Sequence, residues 1–95
     1  MPVLFRSGSL TIMIWSNEGV PAEPVHIHIY YGDNVQQSDK FWLSKNGYFV
    51  PCKSNKHLNS RVTQKMIDSF INHGGVEYLK NEWVSRFGSI RFFDE

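Results

Sequence analysis

The chain has 95 residues, 41% of them hydrophobic and 20% charged, with a net charge of +1. That size allows one domain (1–95) around a single two-layer core; the composition excludes a disordered tail, and the net charge gives no global argument for binding nucleic acid or anionic membrane. Cys52 is the one cysteine, which rules out an intramolecular disulfide and fits a reducing compartment. No run approaches the roughly 18 apolar residues of a spanning helix, and the N-terminus lacks a signal-peptide pattern, so the expected location is cytoplasmic, without membrane contact.

In chain order, Val3 to Phe5 is a short candidate strand and Ser7-Gly8-Ser9 a turn. Leu10 to Trp15 is apolar, rich in β-branched residues and free of breakers. It reads as a strand with Leu10, Ile12 and Ile14 on one face and Thr11, Met13 and Trp15 on the other. Asn17 to Pro24 contains two prolines, a glycine and two glutamates, the composition of a mobile connecting loop that could alternatively serve as a lid. Pro24 to Gly32, PVHIHIYYG, is the most distinctive stretch. As a strand it points Val25, Ile27, Ile29 and Tyr31 one way and His26, His28 and Tyr30 the other.

Asp33 to Asp39 is polar and turn-like. Lys40 to Ser44 and Tyr48 to Pro51 then flank Lys45-Asn46-Gly47, and Asn-Gly is a strong hairpin signal because both residues tolerate positive φ. A basic connection, Lys53 to Asn59, leads into a helix capped by Asn59 or Ser60. Its apolar stripe is Val62, Met66 and Phe70 with Ile67 and Ile71, and His73, Gly74 and Gly75 stop it. Val76 to Phe87 resumes the helical period until Gly88, and Ser89 to Phe93 either adds an edge strand or lies across the sheet. The expected architecture is α+β, an antiparallel sheet of four to five strands with two amphipathic helices packed on one face. The aliphatic side meets the helices. The opposite face then gathers Met13, Trp15, His26, His28, Tyr30 and Trp42, and the aromatic content of 15% exceeds what so small a core uses.

Histidine titrates near neutrality, so His26 and His28, roughly 7 Å apart along the strand, offer a general base and a general acid. With Tyr30, Lys56 or Arg61 holding an anion, such a pair suits metal-independent phosphodiester or RNA cleavage. The same spacing can place two ligands on one metal, but a catalytic zinc wants a third protein ligand. Asp33, Asp39, Glu18, Cys52 and His57 are candidates and none is placed by spacing, so no metal and no cofactor is assigned. The other reading is a binding module in which Tyr30, Trp15, Trp42, Lys56 and Arg61 contact a protein partner, a second copy of the chain, a nucleotide or RNA. Lys53, Lys56, Arg61 and Lys65 occur without an intervening acid, which makes a local positive patch. Cys52 has no base beside it and reads as a small apolar residue.

On Pro24, His26, His28, Tyr31 and Gly32, the chain resembles a family of small bacterial and phage proteins catalogued as domain of unknown function 4160. The family's hallmark is a proline-rich lead into Pro-Pro-His-x-His-Val-x-Tyr-Gly, and Val25 stands where the second proline would. A preceding strand ending in an aromatic with a polar loop (Ile14, Trp15, Asn17), the Phe41-Trp42-Leu43 strand and Trp83 in the second helix extend the likeness from about Ser9 to Gly88. The resemblance implies a toxin-antitoxin-like or phage accessory role with a protein partner or RNA as target. It assigns no reaction, and Ser89 to Glu95 has no counterpart in it. A fainter similarity to histidine-triad nucleotide hydrolases fails at the third histidine, where Tyr30 stands.

Overall fold

Five strands form one antiparallel sheet in sequential order in the computed structural model, which describes residues 2–16 and 23–95. They are β1 (Val3–Ser7), β2 (Leu10–Met13), β3 (His26–Tyr31), β4 (Asp39–Leu43) and β5 (Phe49–Pro51). Two helices follow, α1 (Ser60–Asn72) and α2 (Gly75–Phe87), and a 3-10 turn at Val35–Gln37 links β3 to β4. The fold is therefore α+β, and among the described residues no helix is long and apolar enough to cross a membrane. The loop read at Asn17 to Pro24, with its lid alternative, lies largely outside the described residues.

Turn chemistry sets the register. Gly8, with φ of 58°, takes the first central position of the two-residue β1–β2 turn, the place that glycine fills in a type II′ hairpin. The β4–β5 turn differs from the expected Asn-Gly pair of positive φ values. Only Gly47 is left-handed, at 89°, after a Ser44-to-Gly47 turn closed by a 3.0 Å hydrogen bond, so this is a three-residue loop. Buried Ser44 helps by accepting the Asn46 and Tyr48 N–H groups on its hydroxyl, each at 3.2 Å.

The strand periodicity divides the sheet as expected. Ile12, Ile14, Val25, Ile27, Ile29, Phe41 and Leu43 join Met66, Ile67, Phe70, Leu79 and Trp83 from the helices in one buried cluster. β1 departs from alternation. Val3 pairs with Met13 but Phe5 pairs with Ile12, so Leu4 is an extra residue, a β-bulge that lets Leu4 and Phe5 both pack with the helix-side cluster.

Asn59 caps α1, its side chain accepting from Arg61 N–H at 2.8 Å and Val62 N–H at 3.3 Å. The buried stripe of α1 is Thr63, Met66, Ile67 and Phe70, whereas Val62 and Ile71, expected in it, are exposed, because the face toward the sheet is narrower than the apolar positions available. Gly75 opens α2 against the Phe70 ring; a Cβ there would lie 2.5 Å from that ring. The segment after Gly88 is not a strand. It is held by Val25 N–H donating to the Arg91 carbonyl at 2.9 Å and Lys45 N–H donating to Asp94 at 3.0 Å.

Candidate functional site

Pairing across the sheet stacks the residues of the outer face, the face turned away from the helices, into three rungs. Arg6, Thr11 and Tyr30 are directly opposed on β1, β2 and β3; Met13, His28 and Lys40 form the next rung; His26, Trp42 and Val50 form the third. Thr11, Met13, His26 and Tyr30 are all buried, so this face is far from a plain solvated surface.

The two histidines have different surroundings. His26 is 0% exposed, its Nδ1 is 2.8 Å from the Pro24 carbonyl, and its ring lies edge-on to Trp42, Trp83 and His28 at 5.2–5.3 Å. As the first residue of β3 it sits at the end of the sheet, where the Trp83 indole of α2 also reaches it. His28 is half-buried, 6.1 Å from the Trp15 ring and 3.4 Å, through Nδ1, from the Ser38 hydroxyl. Burial pushes its pKa from 6.5 down to about 3, with His26 and Lys40 adding to the shift and Glu23 opposing it. His28 is thus a neutral imidazole at physiological pH, able to accept a proton only weakly and unable to donate one as an acid.

Lys40 completes the cluster. Its ammonium lies 3.1 Å from the Glu23 carboxylate and 4.2 Å from the centre of the Trp42 ring. Beside Lys40 and His26, Trp42 also meets Phe93 from the C-terminal segment, stacked at 6.4 Å and 29°. The sequence offered no signal for the Glu23 or the Phe93 contact, since both depend on segments brought together only by the fold.

The structure thus brings His26, His28, Trp15 and Trp42 together and sends the remaining expected residues elsewhere. Tyr30 lies two residues along β3 from His28, in a separate polar pocket with Arg6, Thr11 and Asp33. Lys56 and Arg61 are exposed at the lead-in to α1, where the Lys56 backbone N–H donates to Asp39. Asp39, read as part of a polar turn, is a buried strand residue. Its carboxylate accepts the N–H groups of Lys56, His57 and Leu58 at 2.8–3.3 Å and so folds that connection. Asn55 assists by donating to the Lys40 carbonyl and accepting the Lys40 N–H, each at 2.8 Å, as a neighbouring strand would. Cys52 is partly exposed, and a hydrogen bond with Ser54 at 3.2 Å lowers its thiol pKa. Among the described residues no three His, Cys, Asp or Glu side chains are grouped to hold a metal ion; Glu18 lies outside them.

The chain matches no family model, no curated protein and no solved structure.

Proposed function

We propose that this protein is a binding module that uses the Trp15, His28, Lys40 and Trp42 patch of its outer sheet face. Its ligand is a protein surface, a second copy included, or a nucleotide-like molecule offering a ring to stack and an anion that takes the place of Glu23 on Lys40. The observation that carries this reading is the contrast between the histidines. His26 is packed among rings with no exposed surface, and His28 is held neutral beside it. An acid–base pair needs one partner able to give a proton near neutrality and both within reach of substrate. His28, held neutral, cannot serve as the acid, and His26 has no surface to offer a substrate, whereas partly exposed indoles, an imidazole and an ammonium are the residue types that anchor interfaces and stack bases. A toxin-antitoxin-like or phage accessory role in the cytoplasm accords with that module.

The test combines light scattering of the purified chain with tryptophan fluorescence during titration with adenosine monophosphate and a short single-stranded RNA. Association or a saturable fluorescence change that is lost in Trp42→Ala supports the proposal. A strict monomer with no response to either probe contradicts it. RNA cleavage by the parent that disappears in the His26→Ala/His28→Ala double variant would replace it with the phosphodiesterase or endoribonuclease alternative.

A further inference from the structure

The rung formed by Arg6, Thr11 and Tyr30 lies at the far end of the outer face from the indoles, and no feature of the binding patch above accounts for it. These three residues are cross-strand partners, so their side chains leave the same face at successive strand spacings of about 4.8 Å. They line a mainly polar cavity of about 280 Å³, together with Gly8, Ser9, Gly32 and Asp33. Gly8 and Gly32 both have φ near 60° and would meet nothing if given a Cβ, which leaves the mouth open between the two turns. Arg6 is exposed and makes no ion pair with any described residue, although Asp33 lines the same cavity. Thr11 and Tyr30 are nearly buried, with their hydroxyl-bearing side chains among the cavity walls.

A guanidinium, two hydroxyls and a carboxylate around one small cavity describe a particular ligand chemistry. The guanidinium matches a tetrahedral oxyanion in a two-pronged hydrogen bond, and the hydroxyls donate to its remaining oxygens. Asp33 accepts hydrogen bonds only, so the oxyanion must itself carry an O–H. A hydrogen phosphate group meets all three conditions and sulfate fails the last. We infer that the Arg6–Thr11–Tyr30 rung is a binding site for the free hydrogen phosphate ion, which unlike a monoester dianion keeps an O–H at neutral pH. The site is independent of the indole patch.

The experiment is a titration of the backbone amide spectrum of the full chain at pH 7 with inorganic phosphate, sodium sulfate and glycerol phosphate in turn. The expected result is saturable shifts at Thr11, Tyr30 and Gly32 with phosphate. Affinity should fall about tenfold or more in Arg6→Gln, which removes a charged donor from an exposed position and leaves the core untouched. Lys56→Gln, in the basic connection, should leave it unchanged. Sulfate should bind more weakly than phosphate, and Asp33→Asn, whose amide can donate to sulfate, should narrow that difference. Glycerol phosphate, mainly a dianion without an O–H on phosphorus at pH 7, should bind more weakly than the inorganic ion; tighter binding of glycerol phosphate would overturn the assignment. Absence of shifts at these amides, shifts unaltered by Arg6→Gln, or equal affinity for sulfate and phosphate would overturn the assignment.

Discussion

The two faces of one sheet follow different rules. On the helix side, Ile12, Ile27, Ile29 and Leu43 have no exposed surface, and what they need is shape and volume. On the outer side, burial is nearly as deep at Met13, His26 and Tyr30, yet the neighbours are imidazoles, indoles, hydroxyls and a lysine whose charge is shared between Glu23 and Trp42. Adjacent residues of β3 therefore differ in kind. Ile27 holds the layers together, while His28 is burdened with a proton equilibrium that folding opposes.

The sharpest way to break the comparison is substitution on the helix side. Ile27→Ala should cost about 2 to 5 kcal/mol, measured by chemical denaturation, because the vacated volume lies within close packing. Loss of a comparable amount from Trp42→Ala would mean that the outer face is a second core. Next in size is Asp39→Ala, expected to cost about 2 to 3 kcal/mol since it removes the charged acceptor of three backbone N–H groups. In the same variant, hydrogen exchange should accelerate first at Lys56, His57 and Leu58. Gly75→Ala should cost about 1 to 3 kcal/mol, because its Cβ would overlap the Phe70 ring. Pairing it with Phe70→Leu should recover part of the loss.

The smallest effect belongs to His28 and is read from pH. Its pKa is about 3 in the folded chain against an ordinary 6.5, so the unfolded chain takes up a proton that the folded one refuses. The corresponding stability is present above pH 6.5 and is lost as pH falls toward 3. At up to about 1.4 kcal/mol per pH unit, acidification from pH 6.5 to 5 should remove about 1 to 2 kcal/mol. His28→Phe should flatten that part of the profile; an unchanged slope would show that His28 titrates normally.

Much of the helix-side face was legible in the sequence, because β2 and β3 alternate without interruption and α1 carries its own cap at Asn59. The meeting of both histidines with Trp15 and Trp42 was legible for the same reason. What escaped was set by contacts distant in the chain. Asp39 looks like a turn residue until the N–H groups seventeen to nineteen residues onward reach it. Tyr30 shares a strand face with the histidines, but only the pairing of β1 with β2 shows that its company is Arg6. Strict alternation would have placed Arg6 on the side of Leu4; the bulge separates them.

That bulge also bears on how a partner could approach. A sheet with two open margins is ordinarily a template for chain after chain, each adding a strand. Here one margin is β1, whose ladder is irregular at Leu4, and the other is β5, three residues long and ending in Pro51, which has no N–H to offer. Growth by adding strands is discouraged at both ends. On the proposed binding reading, a second copy or another protein would therefore meet the broad surface where the indoles lie and not the margins.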